Sequence, residues 1–181
     1  MSSMKNNKND SSPQVTTENK DQLQTIFELL AKDLEHLNLE SVRKRIHQYL
    51  SLIREWNDRI GLVSKADVCD LETKHLADSL SLAAYVQKFC GLKGRYLDIG
   101  SGAGFPAIPL AIILPEIDMS LVERSEKRVG FLRIAKGRLQ LDGVKIVLGE
   151  FPDVVQGLAP NVITARAVEN PRRLIKAILP F

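Results

Sequence analysis

Two cysteines among 181 residues are too few for a disulfide scaffold, and Cys69 and Cys90 lack the spacing of metal ligands. With three scattered histidines (His36, His47 and His75) they argue for a reducing compartment and against a structural zinc site. No apolar run approaches the roughly 20 residues of a membrane span. The opening segment, MSSMKNNKNDSSPQVTTENK, has no apolar core, which excludes a secretory signal and leads to the expectation of a cytoplasmic chain. Neither sign of charge prevails: Lys plus Arg is 25 against 22 for Asp plus Glu, a net +3 that permits a polyanionic partner without requiring one. No internal repeat is visible, and no G-K-[ST] triplet follows the glycine-rich stretch, so a Walker phosphate loop is excluded.

Hydrophobic residues, at 44%, are enough for one folded core plus extensions. Residues 1–20 have almost no large apolar side chain to offset their ordering entropy and read as a solvated tail, so the folded part is expected from Asp21. From Asp21 to residue 91 the apolar residues recur at helical spacing. Leu23, Ile26, Phe27, Leu30 and Leu34 form one stripe. Val42, Ile46, Tyr49, Leu50, Ile53, Trp56 and Ile60 form a second, and Leu76, Leu80, Ala83, Ala84 and Val86 a third, from about Glu72. Gly61 and VSKADV interrupt between the last two.

From Gly94 the period changes. Short apolar runs alternate with helical stretches, which is the mark of βαβ units and a parallel sheet. The expected strands are Arg95–Ile99, Asp118–Glu123, Val144–Leu148 and Val162–Ala165. The expected helices are Phe105–Leu114, a second from a Ser125 cap to Leu139, and Pro171–Leu179. Pro106 and Pro109 fit the first turn of their helix, where backbone N–H groups have no intrahelical acceptor to lose, and Pro115 stops it. The fold class implied is α/β, Rossmann-like, with a helical N-terminal extension (21–91) on a core beginning at residue 92.

The stretch LDIGSGAGFP, 97–106, carries the chemistry. Asp98 ends the first strand, and Gly100, Gly102 and Gly104 follow at every second position, where a ligand would lie outside the carboxyl end of the sheet. In the dinucleotide pattern G-x-G-x-x-G the third glycine would fall on Phe105, and a carboxylate at Asp98 would repel a pyrophosphate. S-adenosylmethionine carries an ammonium and a sulfonium, both of which welcome an acid. Glu123, ending the second strand, stands where a carboxylate accepts from ribose hydroxyls, and Glu150 follows the third strand, near where an adenine edge would lie.

On LDIGSGAGFPAIPLAIILP, LVERSEKRVGFL, ITARAV, LIREWNDRIGLVS and KHLADSL, the chain resembles the small-subunit rRNA guanine-N7 methyltransferases, the glucose-inhibited division protein B family. The likeness runs from about Tyr49 to the end. It implies a class I methyltransferase that moves a methyl group from S-adenosylmethionine to N7 of one guanine in 16S rRNA, within the small ribosomal subunit or its precursor. It implies no metal and a monomer. By the same resemblance Gly100 and Phe105 match cofactor-loop contacts, Gly149 and Glu150 an adenine-side pair, and Arg166 the arginine after the fourth strand. Gly61, Val63 and Ala107 depart from the family's usual Asn, Thr/Ser and Gly. The family pattern continues after residue 179 with three further strands that this sequence does not carry, so a core incomplete at its C-terminus (92–181) is expected.

Guanine N7 holds a free lone pair at neutral pH and needs no general base. The reaction implied is therefore positioning and electrostatics, with Arg166 orienting cofactor or RNA phosphate. His75 with Asp78, three apart, reads as a local structural hydrogen bond and Trp56 as core. The basic runs Arg124, Lys127, Arg128, Arg133, Lys136, Arg138 and Arg172, Arg173, Lys176 read as solvated helix faces without aromatic interleaving. Two other readings remain open on the residues: a methyltransferase acting on a small molecule or protein, and an inactive RNA- or partner-binding remnant.

Overall fold

A computed structural model describes residues 24–25, 27–28, 38–91, 93–166 and 171–179. The tail expected at 1–20 lies outside the described residues, as do Leu23, Ile26, Leu30 and Leu34. Helix α1, Leu39–Ile60, starts where the Asn38 side chain accepts the Ser41 N–H at 3.0 Å. It buries Val42, Ile46, Tyr49, Leu50 and Ile53, the stripe read from the sequence. It stops at Gly61, whose left-handed backbone (φ 63°) lets its N–H close on the Asn57 carbonyl. That conformation gives a reason for glycine at this position.

The third helical stripe is not one helix. A π-helical turn, Leu71–Leu76, leads into α2, Ala77–Ser81, and after a break at Leu82 into α3, Ala83–Cys90. Leu71 and Leu76, five residues apart, are both fully buried; the wider turn brings them to one side, where α-helical spacing would separate them. Ala84, expected on the buried stripe, is exposed.

The sheet is parallel, in the order β3-β2-β1-β4, from β1 (Arg95–Ile99), β2 (Asp118–Glu123), β3 (Val144–Leu148) and β4 (Val162–Ala165). Its strand bounds coincide with the apolar runs. Register pairs Asp98 with Leu121 and with Thr164, so one face carries Tyr96, Asp98, Met119, Leu121 and Val144. That face packs on α1, α4 (Ala107–Ile113) and α5 (Glu126–Arg138) in one continuous core that also takes in Leu71, Leu76 and Leu80. The opposite face holds a smaller cluster, Leu97, Ile99, Val122 and Val155, against Leu174 and Ile178 of α6 (Pro171–Ile178).

Pro106 stands at the N-cap of α4 and Pro109 in its first turn, as their chemistry requires. Ser125 does occupy the N-cap of α5, but its side chain makes no capping bond; its backbone N–H is instead taken by Glu123. Cys69 is exposed, Cys90 is buried, and both are free thiols. Trp56 is half-buried against the core with Arg59 over its ring. Among the described residues, no helix is long and apolar enough to cross a membrane.

Candidate functional site

A parallel sheet gathers the carboxyl ends of its strands on one edge, and the turns that follow them meet there. They enclose a cleft of about 360 Å³ whose walls include Gly100, Glu123, Gly149, Glu150 and Arg166. Five of the nine residues singled out from the sequence therefore share one cavity. Asp98, Gly102, Gly104 and Phe105 do not line it. A larger hollow of about 590 Å³ sits at the opposite, amino-terminal end of the strands, around Arg95, Asp118 and Val144. It lacks the glycine turn and both strand-end acids, so the smaller cleft is the candidate.

Glu123 organises the loop. Its carboxylate, only 3% exposed, accepts the Gly102 N–H at 2.8 Å on one oxygen and the Ser125 N–H at 2.8 Å on the other. Its carbonyl accepts the Gly149 N–H at 3.0 Å, which links the turns after β1, β2 and β3. An ionised carboxylate has about four acceptor positions, so two remain for hydroxyl donors.

Asp98 is 1% exposed and lies beneath the turn. A chain of hydroxyls reaches it: Tyr96 Oη meets Thr164 Oγ1, and Thr164 donates to Asp98 Oδ1 at 2.7 Å. Its other oxygen, Oδ2, is buried without a hydrogen-bond partner. Burial pushes the carboxyl up to about 6, with the Thr164 and Ser101 hydroxyls, then the Arg166 charge, opposing the rise.

Phe105 does not present its ring to the cleft. The ring is 2% exposed, meets Tyr49 edge-on at 5.2 Å, stacks on His75 at 5.3 Å, and carries the Arg166 guanidinium 5.4 Å above its centroid. Tyr49 in turn donates to the Ala103 carbonyl at 2.8 Å, tying α1 to the glycine turn.

His75 bonds Arg166 at 2.8 Å through Nδ1 rather than Asp78. Arginine only donates, so Nδ1 accepts and the ring proton sits on Nε2, facing Asp67 Oδ1 at 3.8 Å. No local pattern betrays a partner 91 positions away; the signal available was only that a histidine sits in KHLADSL. Burial, then the Arg166 charge, lowers the His75 pKa below the ordinary 6.5. An NMR titration is expected to find this ring neutral at pH 7, protonated on Nε2, with a midpoint below 6.5. A midpoint at or above that value means the ring is not buried beside the arginine as described.

Arg124, Arg128 and Arg173, read from the sequence as solvated surface, also line the cleft. Its walls therefore mix two carboxylates, the buried Glu123 and the exposed Glu150, with four arginines.

The family model described as rRNA small subunit methyltransferase G (GidB) matches residues 42–181. Proteins named ribosomal RNA small subunit methyltransferase G are similar over most of the chain. The one from Leuconostoc mesenteroides is 36% identical, covering 80% of this chain and 62% of its own. The one from Streptococcus agalactiae is 35% identical, covering 77% and 60%. The chain thus spans about 60% of the length of such relatives. Among solved structures, a mutant of MtNAS superposes with a TM-score of 0.54 at 20% identity, covering 92% of this chain and 58% of that one. Its complex with S-adenosylmethionine gives 0.52 at 19%, covering 90% and 68%. These two structures share the fold.

Proposed function

The chain belongs to the rRNA small subunit methyltransferase G family, and from that premise we propose that its cleft binds S-adenosylmethionine and serves methyl transfer to N7 of a guanine in 16S rRNA. The observation that carries the reading is Asp98: a buried carboxylate with an unpartnered oxygen, just before Ile99 and Gly100 of the cleft wall. A buried acid without a cation is costly, and a cationic ligand relieves that cost. The residues fit the donor in other respects. Glu123 keeps two acceptor positions for ribose hydroxyls, and Glu150 borders the same cavity. Gly100 lines the cleft, where an added Cβ would meet nothing within 4 Å, and Gly149 ties the β3 turn to Glu123.

When bound, S-adenosylmethionine supplies a methyl group already activated by its sulfonium. The chain's own work is to hold and to align. Asp98 beneath the turn would supply negative charge for the donor's positive end, Glu123 would accept from the sugar, and Arg166, fixed by His75 and the Phe105 ring, would border the donor on the β4 side. No residue is assigned a proton transfer, because N7 has no proton to lose. The reading takes residues 21–91 as a helical extension bracing a cofactor-binding core at 92–181, one chain per cleft, working in the cytoplasm.

Calorimetric titration of the 181-residue chain with S-adenosylmethionine tests the cofactor, and radiolabelled methyl transfer to small ribosomal subunits lacking the mark tests the reaction. Glu123→Gln is expected to weaken cofactor binding about tenfold to hundredfold, since it replaces a charged acceptor shared by backbone and ribose. Label found only in small metabolites would reject the rRNA substrate.

A further inference from the structure

A second cleft, of about 340 Å³, borders β4, and its lining includes Asp78, Ser79, Leu82, Pro106, Thr164 and Arg166. Arg166 also lines the cofactor cleft, so the two cavities share that side chain as a common wall. The volume falls within the roughly 300–1,000 Å³ of small-ligand sites. Its two walls differ in kind. Leu82 and Pro106 are flat or apolar surfaces. Asp78, in the first turn of α2, is exposed, and among the described residues its carboxylate has no hydrogen bond or ion pair.

We propose that this cleft receives the acceptor guanine, unstacked from the RNA, and that Asp78 reads its N1–H and N2 amino edge; the inference rests on the methyltransferase reading above. An unpaired base is recognised by stacking on flat surfaces and by hydrogen bonds to its edges. A carboxylate that only accepts matches an edge that only donates. Guanine alone among the RNA bases offers two adjacent donors there, whereas adenine and cytosine would turn ring acceptors toward Asp78. The N7 atom lies on the opposite side of the ring, so gripping the donor edge at Asp78 turns N7 away from that wall.

Charge supports the same assignment. The N7 lone pair forms the new bond to the methyl carbon, the carbon–sulfur bond breaks with its electron pair going to sulfur, and the positive charge passes from sulfonium to the guanine ring. No proton moves. As the ring becomes cationic its N1–H and amino hydrogens grow more positive, and their bonds to Asp78 strengthen on the way to the transition state. Arg166 repels that charge. An acid in the same cleft is therefore the group the step needs, and it comes from KHLADSL in the helical extension.

The test titrates the full chain, saturated with S-adenosylhomocysteine, with guanosine 5′-monophosphate and with inosine 5′-monophosphate, which lacks only the 2-amino group. The unaltered chain is expected to prefer the guanine nucleotide by at least about tenfold. Asp78→Asn, nearly isosteric at an exposed position, is expected to keep the thermal midpoint and homocysteine-nucleoside affinity while losing that preference. Equal binding of the two nucleotides, a preference that survives Asp78→Asn, or binding of neither nucleotide overturns the inference and leaves the cofactor site standing. Failure of S-adenosylhomocysteine itself to bind strikes the methyltransferase reading instead, and the nucleotide titrations, repeated without it, still judge Asp78.

Discussion

Gly104→Ala is expected to cost the fold about 3–5 kcal/mol, the largest loss from a single methyl anywhere in the glycine turn. Two penalties add. Gly104 has φ 99°, a left-handed backbone that side chains rarely adopt, worth roughly 1–3 kcal/mol of strain. A Cβ there would also stand 2.5 Å from Ile108 Cγ1, 3.1 Å from Leu132 Cδ2 and 3.2 Å from Tyr49 Oη. All three neighbours are fully buried and have no space to retreat into, so overpacking adds about 1–3 kcal/mol. Tyr49 is held besides by its bond to Ala103, and shifting it would loosen the turn from α1. Gly100 provides the control. Its φ is 71°, but an added Cβ meets nothing within 4 Å, so Gly100→Ala should cost only the strain, about 1 kcal/mol. Urea unfolding of both variants decides the matter. Equal losses would mean that the packing behind Gly104 is not as described. In a chain of this size the difference corresponds to a thermal midpoint on the order of 10 °C lower for Gly104→Ala.

The contrast between these glycines also marks what the sequence could carry. Their spacing after a strand pointed to a ligand-binding turn, and the four strands fall on the apolar runs, most plainly the central β1 and β2, which are buried on both faces and need continuous apolar stretches. Helix α1 was legible for a similar reason: one stripe meets one core. What was not legible is what depends on residues far apart. Which glycine is crowded depends on Ile108, Leu132 and Tyr49, from three different helices. The π-turn at Leu71–Leu76 answers the demand to bury Leu71, Glu72 and Leu76 together, with Arg54 bonded to the Glu72 carboxylate. Local spacing paired His75 with Asp78; the fold gives His75 to Arg166 and leaves Asp78 on the neighbouring cleft. Ser125 was placed correctly as a cap position, yet its hydroxyl makes no capping bond, and the Glu123 carboxylate accepts the Ser125 N–H. Phe105 matched a cofactor-loop position by motif, while its ring is spent on packing.

Asp98→Asn should separate folding from cofactor binding, improving one and damaging the other. The native carboxyl is raised from 3.8 to about 6 in the folded chain, by burial above all. Between those values the folded state holds more protons than the unfolded one, so stability falls as pH rises, and the loss is complete above about pH 6. A shift of this size, at a fully buried group, is on the order of 3 kcal/mol. Asparagine has no charge to bury. The stability difference between Asp98→Asn and the native chain should therefore move in favour of the variant by that order between pH 4 and pH 7, as measured by urea unfolding without ligand. Cofactor binding runs the other way. A cationic donor needs the carboxylate ionised, so native affinity should climb with pH, up to tenfold per unit below about 6, and level off above 7. Binding at pH 5.5 should release a proton, visible as a dependence of the calorimetric heat on the buffer's ionisation enthalpy. Asp98→Asn should bind about a hundredfold more weakly at pH 7.5, without pH dependence and without proton release. Affinity that stays level from pH 5 to 7 in the native chain would mean that Asp98 does not meet the donor's positive charge, and the acid beneath the turn would then be a burden the fold carries for some other ligand.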